Sequence, residues 1–184
     1  VDSNHEVFSS EPFIIIGDLD DGLPLRNFIS MDPPEHDVQR RAVQPVVAPK
    51  NLQQMESLIR SRVVDIIEAL PLGETFNWVD EVSKELTARM LATLFDFPYE
   101  DRRKLTRWSD VSTAIPGQGI IETEEQRRVE LVECLQYFTE LWNERVNAEP
   151  RNDLVSMLAH GSATKEMQPL EYLGNLILLI VGGN

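Results

Sequence analysis

His36 and Arg40 lie four residues apart. On a helix that spacing projects both side chains from one face. Arg40 adds a planar fork of donors suited to a carboxylate, so an imidazole and a guanidinium together can hold an anion. A second feature is the apolar run Leu176 to Val181, followed by Gly182, Gly183 and Asn184. Glycine beside such a run removes bulk where a neighbouring helix or a ligand comes close. Other chemical signals fail on spacing. Asp18-Leu19-Asp20-Asp21-Gly22 has the acids of a calcium loop, but its glycine is one position early and Ile29 stands where the bidentate Glu belongs. Gly117-Gln118-Gly119 lacks a preceding strand and the third glycine of a dinucleotide fingerprint, Glu122 being there instead. His5 and His160 have no partners at metal-ligand spacing. Cys134, the single cysteine, lies between Glu133 and Leu135 in a helical stretch and reads as an ordinary helix cysteine.

The elements that must position these residues are helical. The first 30 residues form a loop with at most a short helix or strand; it contains the apolar run Phe13 to Ile16 and turn chemistry from Asp18 to Pro24. Asp32-Pro33-Pro34-Glu35 reads as an N-cap Asp, proline in the first turn and a Glu completing a capping box, so a helix carrying His36 and Arg40 starts there. Leu52, Met55, Ile59, Val63, Ile66, Ile67 and Leu70 recur at three and four, which predicts one buried stripe on a helix from Pro49 to Leu70. A second helix runs from about Trp78 to Phe95 and stops before Pro98. A shorter one follows near Glu100 to Ser112. After a loop at Pro116 to Gly119, a long helix covers Glu124 to Asn147, with Val129, Val132, Leu135, Phe138 and Trp142 as its apolar side. Glu122, Glu124 and Glu125 at its start suit the helix dipole. Leu154 to His160 is short and amphipathic. Pro169 opens a last helix that is apolar on most sides from Leu173 on, as a buried central helix would be. With no convincing paired strands, the fold class is mainly α.

Composition narrows the partners. The chain has 184 residues, 42% hydrophobic and 26% charged, which suits one soluble globular unit, residues 1–184. A net charge of −14 repels a phosphate backbone, so nucleic acid is excluded as a partner. A lone cysteine fits a reducing compartment, and the cytoplasm is the expected one. The longest apolar run is far below the roughly 20 residues that span a bilayer, so the chain is not expected to be transmembrane. Val1 without a start signal and an apolar stretch breaking off at Asn184 read as the ends of a piece of a longer chain.

Asp32-Pro33-Pro34-Glu35-His36 with Arg40 resembles the start of the C helix in bacterial cytochromes P-450. Leu178-Leu179-Ile180-Val181-Gly182-Gly183-Asn184 resembles the first half of that family's oxygen-binding I helix, and the helix order between them is similar to helices C through I. Within the superfamily, Leu91 to Pro98, Thr106-Arg107-Trp108-Ser109-Asp110 and Tyr172-Leu173-Gly174-Asn175 resemble the bacterial medium-chain alkane and fatty-acid hydroxylases. This resemblance implies a partial P-450 fold, from the B–C loop to the start of helix I. It implies haem (iron protoporphyrin IX) as cofactor, with His36 and Arg40 on the propionates and Gly182 and Gly183 beside the porphyrin. It further implies a haem-ligating cysteine beyond Asn184, so Cys134 is not that ligand and the piece alone is inactive. The activity implied is a haem-thiolate monooxygenase that puts one oxygen atom of O2 into an unactivated C–H bond, terminal on n-alkanes or related alkyl chains. Ferredoxin and ferredoxin reductase would donate the electrons, and Arg41, turned about 100° from Arg40, is a candidate ferredoxin contact. Ile14, Ile15, Ile16, Phe28, Ile29, Ile115, Ile120 and Ile121 are candidates for an apolar substrate lining. Two other readings stay open: a P-450 acting on a terpene, steroid or fatty acid, and a cofactor-free α-helical binding or scaffold module whose His36 and Arg40 merely sit on the surface.

Overall fold

Seven α-helices and short 3₁₀ turns, with no strand, make up the described residues of the computed structural model, which are 4–12, 14 and 25–184. The helices are α1 (Glu35–Val43), α2 (Pro49–Glu68), α3 (Lys84–Phe95), α4 (Arg103–Thr113), α5 (Glu124–Val146), α6 (Leu154–His160) and α7 (Pro169–Gly183). A π-helical turn, Val79–Ser83, leads into α3, and 3₁₀ turns stand at Phe28–Ser30, Gln44–Val47 and Tyr99–Asp101. No helix among these residues is long and apolar enough to cross a membrane. Phe13, Ile15, Ile16 and the stretch from Asp18 to Pro24 lie outside the described residues.

The core forms around α7, because its residues are apolar on nearly every side. Leu173, Leu176 and Ile180 are fully buried there. Against it α4 and α5 bring Trp108 and Phe138, and these meet Phe95 and Phe97 from α3 and its following turn in edge-to-face and tilted ring contacts. Such rings bury large apolar areas and fix the angles between the helices that carry them. Cys134 is buried in the same core, and burial pushes its thiol well above the ordinary range, so it stays protonated. Side-chain caps define two helix starts. Thr123 accepts from the Gln126 amide at 3.1 Å, and Asp153 accepts from the Ser156 amide at 2.8 Å.

Three expectations are corrected. First, the capping box at α1 does not form. The Asp32 carboxylate accepts instead from Ser9 Oγ (2.6 Å) and the Ser10 amide (2.9 Å), and Glu35 pairs with Arg26 at 2.7 Å. Pro34 precedes the helix already in helical conformation, so the first turn is set by proline geometry. Second, α2 is helical as expected, but only Ile66 of its stripe is buried, while Leu52, Val63 and Ile67 are exposed. Its apolar sector is wider than the contact it makes with α3. Third, α5 buries Leu131, Cys134, Phe138 and Leu141, leaving Val129 and Val132 exposed. Two apolar stripes compete on that helix, and the neighbours α4, α6 and α7 select one.

Candidate cofactor-binding cavity

The segment before α1 and the start of α7 are joined by a buried polar relay. Asn175 Oδ1 accepts from the Phe28 amide at 2.9 Å, and Asn175 Nδ2 donates to Gln39 Oε1 at 3.0 Å. Gln39 Nε2 in turn donates to Glu171 Oε1 at 2.5 Å. Buried polar groups require such partners, so this relay fixes α1 against α7. His36 extends it: its Nδ1 lies 2.8 Å from the Phe28 carbonyl oxygen, and its ring meets the Phe28 ring edge-on.

Next to this junction opens a cavity of about 380 Å³. Phe28 and Ile29 line it from the segment before α1, Arg40 and Val43 from α1, Val46 and Val47 from the following turn. Leu91 and Leu94 of α3, Leu154 of α6, and Leu178, Leu179, Gly182 and Gly183 of α7 complete it, with Gln44 the other polar member beside Arg40. The two glycines differ. A Cβ on Gly182 would meet nothing within 4 Å and would project into open space, whereas a Cβ on Gly183 would come within 2.7 Å of Leu91 Cδ2. Gly183 is thus small so that α7 can approach α3, and Gly182 keeps the space clear.

Arg40 carries the electrostatic signal. Among the described residues it is the one arginine whose side chain has neither a hydrogen bond nor an ion pair to another of them. It stands exposed at the edge of an apolar cavity. A guanidinium so placed is free to receive an acidic group without first breaking another pair.

The structure therefore brings Arg40, Gly182, Gly183, Phe28 and Ile29 to one cavity, with His36 docked beside it on Phe28 and not in the lining. Ile14, Ile115 and Ile120 are exposed and Ile121 is buried in the core; none of the four lines the cavity. Ile15 and Ile16 lie outside the described residues. Sequence reasoning missed Val43, Val46, Val47, Leu91 and Leu94, which come from three elements whose convergence leaves no local pattern. It also missed Asn175 and Gln39. A buried amide in an apolar helix was the available signal for Asn175.

No protein-family model matches the chain. Curated relatives do. Linalool 8-monooxygenase of Pseudomonas putida is 31% identical over 158 residues, 85% of this chain and 39% of that protein. Cytochrome P450(BM-1) of Priestia megaterium is 27% identical over 187 residues, 98% of this chain and 45% of that protein. Among solved structures, cytochrome P450-153 from Novosphingobium aromaticivorans is 43% identical with a TM-score of 0.78, covering 91% of this chain and 41% of that one. CYP153D17 from Sphingomonas sp. PAMC 26605 is 41% identical with a TM-score of 0.83, covering 99% of this chain and 46% of that one. The chain belongs to the cytochrome P450 superfamily. Its helices are a partial P450 fold, and it spans 39% to 45% of the length of these curated relatives.

Membership in the P450 superfamily implies haem, and the residues present fit that group. A flat apolar macrocycle with carboxylates at one edge matches an apolar cavity with a cleared glycine and an unpaired arginine at its side.

Proposed function

We propose that this chain forms part of a haem-thiolate monooxygenase that inserts one oxygen atom from O2 into an unactivated C–H bond, terminal on n-alkanes or related alkyl chains. The observation that carries this reading is Arg40, the unpartnered guanidinium at the edge of an apolar cavity lined by Gly182 and Gly183. Bound haem would supply the activation of dioxygen. Arg40 would neutralise a propionate by a charge-assisted hydrogen bond, roughly twice as strong as a neutral one. His36, whose Nδ1–H donates to the Phe28 carbonyl, would donate from Nε2–H to the same acidic edge in its doubly protonated form, in which both ring nitrogens are donors. Gly182 would leave room for dioxygen and a substrate carbon, with Gly183 letting α7 approach α3 beside it.

Phe28 and Ile29 are the best supported of the proposed substrate contacts, since they line the cavity. Ile14, Ile115, Ile120 and Ile121 do not line it, and Ile15 and Ile16 lie outside the described residues. The preference for alkyl chains draws on the resemblance of Leu91 to Pro98, Thr106 to Asp110 and Tyr172 to Asn175 to the medium-chain alkane and fatty-acid hydroxylases. A second reading, a terpene or steroid substrate, draws on the relatives named linalool 8-monooxygenase and steroid C26-monooxygenase. Spectral shifts of the haem-loaded protein on adding an n-alkane, linalool or a steroid would separate the two. Electrons would come from a ferredoxin and its reductase, in the cytoplasm, with Arg41 as a candidate contact.

The test is haem retention by the haem-loaded protein that contains this chain. Arg40→Ala should lower it, and His36→Ala should do so to a lesser extent. Unchanged haem occupancy in both variants would remove the proposed role.

A further inference from the structure

We propose that Gly174 and Asn175 are positioning residues that fix the wall of the cavity and thereby set which shapes of alkyl substrate it admits. The inference rests on the monooxygenase reading for its ligand, but its geometry is independent of it. Asn175 is fully buried. Its Oδ1 accepts from the backbone of Phe28, whose own carbonyl is engaged by His36, so the Phe28 residue is held at both its amide and its carbonyl. Gly174 sets the approach. A Cβ there would lie 2.1 Å from the Arg26 carbonyl oxygen and 2.8 Å from its carbon, so any side chain would push the backbone of the 26–29 segment away.

The amide at 175 is also directional. The Phe28 N–H needs an acceptor, which turns the Asn175 amide nitrogen toward Gln39 Oε1 and leaves the Gln39 amide nitrogen to donate to Glu171 Oε1. Leucine at 175 would leave the Phe28 N–H and the Gln39 oxygen without partners in a buried site. On α7, positions 175, 178, 179 and 182 follow the three, four and seven spacing of one helix face. The clamp on Phe28 and the cavity residues Leu178, Leu179 and Gly182 thus belong to one face of one helix, over a rise of about 10 Å. Phe28 and Ile29 are held in register with the space above Gly182 by that helix itself.

The experiment uses the haem-loaded protein with n-octane and cyclooctane as probes, affinities being read from the change in haem absorption. In the haem-loaded fraction of Asn175→Leu, and of Gly174→Ala by the same displacement, the n-octane to cyclooctane affinity ratio should change by about tenfold, equivalent to about 1.4 kcal/mol. General destabilisation would weaken both probes alike and leave the ratio unmoved, and an unmoved ratio overturns the proposal. A second measurement needs no variant. The Phe28 amide of the unsubstituted protein should exchange its hydrogen as slowly as the core amides of α7, and fast exchange there overturns the clamp. If the unsubstituted protein binds no haem, the monooxygenase reading fails, while the exchange measurement still decides the clamp.

Discussion

Two groups of arginines in this chain do opposite things. At the corner of α3 and α4, Glu85 is buried and receives Arg89 Nε at 2.7 Å, Arg102 Nε at 2.9 Å and Arg103 Nη2 at 2.6 Å. Arg62 of α2 joins them by donating to the Arg89 carbonyl, and the Arg62 and Arg102 guanidiniums stand over the Tyr99 ring. Burial opposes ionisation of Glu85, but the surrounding guanidiniums win and hold its carboxyl below the usual range. At α1, Arg40 faces an apolar cavity with no such partner among the described residues. The corner's charges hold helices together, while α1 leaves the Arg40 charge without a partner among the described residues.

Breaking the paired side should have the largest effect. Glu85→Gln strands three guanidiniums around a buried neutral amide and should cost roughly 3–5 kcal/mol of stability by chemical denaturation, with haem occupancy of the folded fraction unchanged. Breaking the unpaired side should reverse that pattern. Arg40→Ala should weaken haem retention by about 10- to 100-fold, the value of a hydrogen bond to a charged group, and shift stability by less than about 0.5 kcal/mol. Acid sharpens the comparison without a mutation. Because the folded-state pKa of Glu85 is depressed, its stabilisation is complete above the unfolded value of about 4.3 and is lost as pH falls through the lower folded value. Acid unfolding should therefore begin below about pH 4, and Glu85→Gln should flatten that part of the stability curve. The smallest effect belongs to Arg41→Ala. Its Nε donates only to the Asp37 carbonyl of its own helix at 2.9 Å, so stability should move by less than about 0.5 kcal/mol and haem occupancy not at all. A loss of haem there equal to that of Arg40→Ala would show that only the net charge of α1 matters.

Much of this was legible in one dimension because it depends on local spacing. The start of α7 follows from Pro169, whose missing amide hydrogen acts within one turn, and α5 and α6 follow from apolar spacing alone, their Thr123 and Asp153 caps being seen only in the structure. His36 and Arg40 stood out because a spacing of four is itself a statement about one helix face. The capping box at α1 misled because Asp32 met Ser9 and Ser10 from a distant part of the chain, a contact no window of sequence contains. The same limit explains α2 and α5. Periodicity shows that a helix has an apolar sector, but burial needs a neighbour, and three-dimensional packing chose Leu131 over Val129 and left most of the α2 sector uncovered.

The sequence by itself determined that the chain is helical, that His36 and Arg40 sit four apart on one helix near its beginning, and that glycines follow an apolar helical run near its end. Only the tertiary structure decided that Arg40 and the glycines meet at one cavity with His36 beside it, that Gly183 serves packing against Leu91 while Gly182 opens to space, and that Asn175 ties the cavity wall to the helix beneath it. The physical reason is range: helix formation is governed by residues within four positions of one another, whereas a cavity and a buried amide relay are made by groups 130 or more residues apart whose approach depends on every helix between them.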